Sequence, residues 1–270
     1  MSTIETDGFL ADEILQIIEE FRAVNPQFHQ DYRDLGRLAH ASKNNCGISN
    51  TNVQQLMVVL LFGRLLSLYE AAYIVACRGM SAELAVLLRS MTECHLKLAA
   101  CAKNEANAEK ILLSSEHERK RLLESAAKYR AHIDSREEMG RTQKLIQTIA
   151  SEISERSIPK LTTKKIAEMA DQMWVYELTY SALCQPTHAD SRDLQKSFKL
   201  KNTGEIEGIL WGPNHDGTIF NLTTAMNFLL QGLINPAVPM LDAQSEKVSL
   251  WHAKIQMHML ANRRQEISAG

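Results

Sequence analysis

The sequence predicts an all-α protein, a single bundle of about eight to ten helices at the helical period of 3.6 residues. Two observations carry this prediction. The 270 residues include 12 glycines and 6 prolines, which is about half the usual share of these helix-breaking residues. Apolar residues recur every three or four positions over most of the chain, which is typical of amphipathic helices. Long helices are therefore favoured over a sheet.

The composition indicates a globular protein without a strong electrostatic preference. Apolar residues make up 45% of the chain and charged residues 23%, and the net charge is −2. A chain of this length can bury a core without disulfides. Its overall charge gives no general attraction to nucleic acid or anionic membranes, although a local basic patch is compatible with it.

The five cysteines predict neither a disulfide framework nor a zinc site, because they are odd in number and scattered. They are Cys46, Cys77, Cys94, Cys101 and Cys184. The acidic N-terminus lacks the apolar core of a signal peptide, and the longest apolar run, Leu56–Gly63, is too short to cross a bilayer. We therefore expect a cytoplasmic protein that needs no cofactor, no metal and no membrane.

An N-terminal helical segment is predicted over residues 1–50. Apolar residues at helical spacing predict a first helix over 8–24, and the following Asn-Pro pair at Pro26 ends it. A shorter and more polar helix is predicted over 27–43.

The centre of the predicted bundle is an antiparallel hairpin of two helices, over 53–78 and 82–100. Apolar residues cover most of the circumference of both helices, as in helices that are buried on all sides. Gly79 is a suitable C-cap for the first helix and Ser81 a suitable N-cap for the second, so the turn between them is very short. The core domain built on this hairpin is predicted to extend over 53–200.

The rest of the core domain is predicted to contain two kinds of helix. Residues 105–157 are highly charged with a thin apolar stripe, which is typical of one or two surface helices. Residues 163–184 have apolar residues at helical spacing and are predicted to form a further helix. Pro186 is expected to end that helix.

A C-terminal segment, residues 201–270, is expected to pack on the core. Its glycine-rich beginning, within 199–220, predicts a loop or a small two-stranded ribbon. Two closing helices are predicted over 221–234 and 236–262.

Two opposite charges stand inside the second hairpin helix. Arg89 and Glu93 lie one turn apart and so share a face. Because buried charges are costly unless they are paired, we expect an ion pair held inside the bundle. The pair is either a structural clamp or the floor of a polar site, and Arg64 on the first hairpin helix is a second candidate partner for Glu93.

A second group of polar residues lies at and just after the end of the helix predicted over 163–184. Tyr180 and Ser181 lie near its end, and His188 comes just after the break at Pro186. Asp190 is placed to orient the imidazole, as carboxylates do for catalytic histidines. His188 is therefore either a structural residue or a general acid or base.

The spacing of Arg89 and His95 resembles the motif of HEPN ribonucleases, in which an arginine and a histidine flank the scissile RNA phosphate. Two other Arg–His pairs in the chain have a similar spacing, so such a match also arises by chance. At 3.6 residues per turn, His95 lies roughly 120° around the helix from Arg89 and does not converge on it. On physical grounds His188 is the better partner for Arg89, although the apposition of two copies in a dimer could still bring His95 to the site.

Two separated stretches resemble a known bacterial family. The first, GRLLSLYEAAYIVACRGMSAELAVLLRSMTE, is similar to a signature in which a helix ends in Arg-Gly and the next carries Arg-Ser-x-x-Glu. Arg89, Ser90 and Glu93 match that element. The second stretch, YELTYSALCQPTHADSRDL, is similar to a Tyr and His element, matched by Tyr180 and His188.

Over roughly residues 53–200, the chain therefore resembles the bacterial family catalogued as domain of unknown function 5677. The resemblance implies an all-α bundle similar to the HEPN-type helical proteins of prokaryotic defence and toxin systems. Such proteins commonly pair, so the resemblance also implies a dimer.

Two functions remain open. In the first, the protein is a metal-independent ribonuclease or toxin-like defence effector that acts on RNA. Arg89 would bind phosphate, His188 would act as general acid or base, and Glu93, Tyr180 and Ser181 would position them. In the second, it is a non-enzymatic interaction or regulatory module, and the Arg–Glu–His network is a structural clamp. A homodimer or a partner protein is compatible with both.

Overall fold

The computed structural model is all-α, as predicted. It describes residues 2–44, 47, 49, 51–130, 135–187, 194–195 and 198–269, without the side chains of 185–187 and 263–269. These residues contain 11 α-helices and one two-stranded ribbon. The count exceeds the predicted eight to ten, because a four-residue helix precedes the first predicted one and one predicted helix is divided. The exposed β-ribbon corresponds to the loop or small two-stranded ribbon that was predicted within 199–220.

The helices are α1 (Ile4–Asp7), α2 (Ile14–Val24), α3 (Pro26–Asn44), α4 (Val53–Cys77), α5 (Ser81–Lys103), α6 (Glu105–Arg130), α7 (Arg136–Glu155), α8 (Thr163–Met169), α9 (Ser181–Thr187), α10 (Thr218–Leu233) and α11 (Glu246–Ala269). A 3-10 helix, Gly8–Leu10, follows α1, and a π-helix, Val175–Tyr180, precedes α9. Strands β1 (Phe198–Leu200) and β2 (Ile206–Ile209) pair antiparallel.

Helices α4 and α5 form the predicted central hairpin. Asn52 is the N-cap of α4, and its side chain accepts a backbone hydrogen bond of 2.9 Å. Gly79 in the turn has a φ of 71°, and a Cβ there would lie 2.7 Å from the backbone nitrogen of Asn214. Only glycine fits both requirements. Ser81 is the first helical residue and not the N-cap that was predicted, because Met80 occupies that position.

The core lies where α10 packs against both hairpin helices. Phe62 and Leu65 of α4 are fully buried, and a Cβ at Gly232 of α10 would come within 3.0 Å of the Phe62 ring. Glycine therefore lets the two helices approach closely. Helix α4 is also long and apolar enough to cross a membrane, which the short apolar run in the sequence did not indicate. The same length and composition are typical of the central helix of a bundle.

The helix predicted over 163–184 is divided. Helix α8 ends at Met169, and Asp171 adopts a left-handed conformation with a φ of 54°, which aspartate tolerates better than most residues. An ion pair with Lys103 of α5 holds the Asp171 carboxylate. The chain then continues through the π-helix into α9, which ends one residue after Pro186 and not before it. A proline in the last turn removes only one helical hydrogen bond.

The C-terminal segment contains the predicted ribbon and two helices, but the second helix starts later than expected. Asn235, which is buried, donates to the carbonyls of Gly232 and Val238 and accepts from two backbone N–H groups. These bonds stabilise a turn where a helix starting at Pro236 was predicted. Helix α11 consequently begins at Glu246.

Candidate functional site

The candidate site lies between α5 and the π-helix. Arg89 of α5 donates a hydrogen bond of 3.0 Å from Nη2 to the hydroxyl of Tyr180, the last residue of the π-helix. The guanidinium carbon also lies 5.1 Å from the centroid of the Tyr180 ring, within the range of a cation–π contact. The two elements quoted above as family motifs therefore meet in the fold, although 91 residues separate these two positions.

Glu93 contributes the negative charge. Its Oε1 lies 3.7 Å from Nε of Arg89, and the side chains are 36% and 19% exposed, respectively. Arg89 is thus largely buried, whereas Glu93 is more exposed than the prediction of a pair inside the bundle implies, because α5 has one solvent-facing stripe. Glu83 and Val86 are exposed on it, and Glu93 continues it at helical spacing.

The environment keeps the guanidinium charged. The hydrogen bond to Tyr180 raises the pKa of Arg89 above its ordinary value and outweighs the opposing effect of burial. The nearby Cys184 and Glu93 act in the same direction. Arg89 is thus a permanent cation at a partly open surface.

The π-helix shapes the other side of the site. The backbone N–H of Ser181 bonds to the carbonyl of Tyr176, five residues earlier, and the Ser181 hydroxyl donates to the same carbonyl at 2.9 Å. The rings of Tyr176 and Tyr180 stack with their centroids 5.3 Å apart and their planes 19° apart. Single π-turns inside helices occur frequently at functional sites. Ser181 is exposed and here stabilises the turn.

His188 and Asp190 lie outside the described residues, so their predicted roles stay predictions. Arg64 is exposed on α4. Among the described side chains Glu93 pairs with Arg89 and forms no ion pair with Arg64, so the alternative partner is not used.

His95 belongs to a different environment. It is buried, its Nε2 lies 2.8 Å from Oε1 of Gln172, and its ring stacks on Phe228 of α10 with centroids 4.5 Å apart. Burial lowers the pKa of His95 to about 4, against the opposing hydrogen bond with Gln172. Within this chain, His95 therefore packs in the core as a neutral ring and does not join Arg89, as the helical geometry indicated.

Two residues near Arg89 were missed as site residues, namely Tyr176 and Cys184. Tyr176 precedes Tyr180 by four residues on one face of the predicted helix, a spacing that signals contact between the two rings. Cys184 carries no comparable signal. In the part of the chain that the structure describes, no group of three or more His, Cys, Asp and Glu side chains is arranged to hold a metal ion.

The arrangement suits recognition of an anionic oxygen. A guanidinium that is held by a tyrosine hydroxyl and is partly exposed, as Arg89 is at 19%, has planar donors of the kind that bind a phosphate or carboxylate. Glu93 limits this binding, since an incoming anion must compete with the carboxylate for the cation.

Comparison with known proteins identifies a family. A family model described as "Family of unknown function (DUF5677)" matches residues 55–206. Neither a curated protein nor a solved structure matches the chain. The matched range covers more than half of the 270 residues and includes the whole of α5 and the π-helix. The chain therefore belongs to the family of unknown function DUF5677.

Proposed function

We propose that the protein is a HEPN-like, metal-independent ribonuclease that acts as a toxin or defence effector. The single observation that supports this proposal best is the hydrogen bond between Arg89 and Tyr180. It supports the proposal because it holds a permanent cation in one orientation, at a partly exposed position, against a tyrosine that precedes His188 by eight residues in the sequence.

The chemistry follows from the residue types. In RNA cleavage the ribose 2′-oxygen attacks the adjacent phosphorus, the bond to the 5′-oxygen breaks, and negative charge builds up on the phosphoryl oxygens. Arg89 would stabilise this charge, as preorganised cations do at phosphoryl centres. His188 would take the proton of the 2′-hydroxyl or deliver one to the leaving 5′-oxygen. Glu93 and Tyr180 would position the guanidinium.

The test uses the purified protein and a fluorescent single-stranded RNA, with a matched strand that contains deoxyribose throughout. We expect cleavage of the ribose strand alone, because only it carries the attacking hydroxyl. Arg89→Gln and His188→Ala should each reduce cleavage at least about a hundredfold, as removal of one charge-stabilising or proton-transferring group typically does. Arg141→Gln is the matched control, since Arg141 is an exposed arginine paired with Glu137 on α7.

Absence of cleavage by the wild-type protein, or equal cleavage by Arg89→Gln, would contradict the proposal. In a cell, the same mechanism predicts growth arrest on overexpression, which Arg89→Gln and His188→Ala relieve without loss of folded protein. We place this activity in the cytoplasm, with RNA as the substrate and a homodimer or a protein complex as the acting form.

A second candidate function, a non-enzymatic interaction module, is favoured by the way Arg89 joins two elements. Its hydrogen bond and ring contact with Tyr180 tie α5 to the π-helix, as a structural clamp would. Under this alternative, Arg89→Gln lowers the melting temperature markedly and the wild-type protein leaves RNA intact. The ribonuclease proposal expects instead only a small loss of stability, about the 1 kcal/mol of one hydrogen bond, together with lost cleavage.

A further inference from the structure

One face of the central helix α4 is open to solvent. Apolar residues cover most of the circumference of α4, and a helix of this kind is normally buried on all sides. Yet only 39% of the 18-residue stretch that makes α4 apolar enough to cross a membrane is buried. The exposed residues of α4 are Leu60, Arg64, Ser67, Glu70 and Ile74. At about 100° per residue, all of them lie within roughly 60° of Ser67 around the helix. The composition of α4 therefore indicates that another molecule covers this face.

The order of residues along this face is symmetric about Ser67. Arg64 and Glu70, which are opposite in charge, lie three residues before and after Ser67. Leu60 and Ile74, which are 69% and 55% exposed, lie seven residues before and after it. A second copy of α4 that lies antiparallel on this face, with Ser67 against Ser67, brings Arg64 level with Glu70 and Leu60 level with Ile74. Both contacts occur twice, as a twofold axis requires.

The middle of the face leaves room for a second helix. Gly63 and Ala71 lie four residues before and after Ser67, and a Cβ at Gly63 would meet open space. The Ser67 hydroxyl donates to the carbonyl of Gly63 in its own helix at 3.1 Å, so it keeps a partner when the face is covered. Two helices can therefore approach closely here, and the long side chain of Arg64 can extend to the other copy.

Both charges on the face are accessible to a second copy. Arg64 is exposed. Glu70 bonds Nε2 of His40 through Oε1 at 2.6 Å, and its side chain is still 50% exposed. The second carboxylate oxygen of Glu70 can therefore accept a guanidinium from another molecule.

The same charges disfavour a lipid bilayer as the covering partner, although α4 is long and apolar enough to cross one. Arg64 and Glu70 stand near the middle of the exposed face, where the hydrocarbon of a membrane offers neither water nor a counter-charge. A second copy of the chain offers the opposite charge at both positions.

We infer that this face of α4 binds a second copy of the chain, antiparallel and with a twofold axis at Ser67. Arg64 of each copy pairs with Glu70 of the other, and Leu60 packs against Ile74. A hollow of about 400 Å³ between α3 and α4, lined in part by Glu70 and Ile74, adjoins this contact. None of these residues takes part in the contact between Arg89 and Tyr180, so the inference does not rest on the proposed ribonuclease activity.

The first experiment is sedimentation velocity of the full chain over a range of concentrations. We expect a reversible monomer–dimer equilibrium with a dissociation constant on the order of 10 µM, as is typical of a small interface. Arg64→Glu and Glu70→Arg should each raise this constant at least about tenfold, because each places like charges level with each other. Arg141→Glu is the matched control, since Arg141 is an exposed arginine paired with Glu137 on α7.

Mixing the two charge variants tests the antiparallel register. In a heterodimer of Arg64→Glu with Glu70→Arg, both cross-pairs again join opposite charges, so the equimolar mixture should dimerise about as tightly as the wild type. Circular dichroism of each variant shows that it is folded. A contact elsewhere on the molecule, or a parallel one, gives no such recovery.

Oxidative cross-linking tests the position of the twofold axis. Ser67→Cys should form a disulfide-linked dimer with copper phenanthroline, because the two substituted positions face each other across the axis. Ser115→Cys on α6 is the matched control, since Ser115 is also an exposed serine that bonds a carbonyl of its own helix. The wild type corrects for cross-linking through the native cysteines.

Four results would overturn the inference. They are a wild-type protein that stays monomeric at about 100 µM, a dimer that Arg64→Glu leaves unchanged, a mixture of the charge variants that stays monomeric, and equal cross-linking of Ser67→Cys and Ser115→Cys. A monomer that binds phosphatidylcholine vesicles would assign the face to a membrane instead.

Discussion

Asp31 and Lys254, which are 223 residues apart in the chain, form an ion pair with a distance of 2.6 Å between Oδ1 and Nζ. The other carboxylate oxygen of Asp31 lies 3.0 Å from Nε2 of His258. The Asp31 side chain is only 4% exposed. These contacts join α3, near the beginning of the chain, to the last helix, α11.

We expect Asp31→Ala to lower the free energy of unfolding by about 3 kcal/mol, because it leaves Lys254 without its buried partner. Urea denaturation followed by circular dichroism measures the loss. Asp34→Ala is the matched control three residues away, since Asp34 pairs with Arg37 at the surface, and such pairs contribute about 0–1 kcal/mol. Equal losses in the two variants would show that the Asp31 pair has no special role.

Acid should weaken the same pair. Burial by itself would raise the pKa of Asp31, but hydrogen bonds from Lys254, His258 and Gln27 outweigh it, so the pKa in the folded protein is lowered. A lowered carboxyl pKa contributes stability above the unfolded value of about 3.9, and this contribution is lost as the pH falls through the folded value. The urea midpoint of Asp31→Ala should therefore approach that of the wild type below about pH 4.

The buried imidazole of His95 predicts that the stability of the fold also depends on pH between about 4 and 6.5. Its pKa is lowered from 6.5 to about 4 in the folded protein, so between these values the unfolded chain binds more protons. Stability therefore rises with pH in this range and falls as the pH is lowered from 6.5 to 4. In His95→Phe, which cannot titrate, the slope of unfolding free energy against pH over this range should be smaller than in the wild type. An unchanged slope would contradict the assignment of a buried neutral ring.

Gly79 and Gly63 form a matched pair for substitution by alanine. Gly79 has a positive φ and a Cβ there would collide with the backbone of Asn214, whereas a Cβ at Gly63 in α4 would meet open space. We expect Gly79→Ala to cost roughly 2 kcal/mol or more and Gly63→Ala to add about 0.5–1 kcal/mol of stability. Thermal denaturation of both variants checks the signs, and a stable Gly79→Ala would show that the turn can rearrange.

Tyr180→Phe tests the contact at the candidate site. The substitution removes the acceptor of the Arg89 hydrogen bond and keeps the ring beneath the guanidinium. Loss of about 1 kcal/mol is expected from one hydrogen bond, with RNA cleavage reduced less than in Arg89→Gln. Tyr176→Phe is the control, because the ring stacking of Tyr176 does not require its hydroxyl. Equal stability losses in both variants would argue against the assigned bond.

Much of the fold could be predicted from the sequence because its strongest signals are local. The periodicity of α4 and α5, with Gly79 between them, predicts a hairpin without knowledge of any distant contact. The ends of the helices after residue 163 depend on contacts between residues that are far apart in the chain. The break at Asp171 combines a left-handed residue with an ion pair to Lys103, 68 residues away, and neither leaves a pattern in the sequence.

The candidate site was predicted only in part for a similar reason. The resemblance between motifs indicated Arg89 and Tyr180, and the structure brings them into contact. Glu93 is more exposed than predicted, because the apolar residues around Arg89 were taken to be core residues, although Val86, three residues before Arg89, is 40% exposed. The π-turn could not be predicted, since one widened turn leaves the apolar pattern around it almost unchanged.

The π-helix between Val175 and Tyr180 also makes the spacing of this segment sensitive to length. A widened turn holds one residue more than an ordinary one, so it absorbs that residue without changing the direction of the helix that follows. If the same residues formed regular α-helix, every later position would be rotated by about 100° relative to α5. Tyr180 would then turn away from Arg89 although the sequence stayed the same. A chain of this family without the widened turn would need one residue fewer before its tyrosine to keep the same contact.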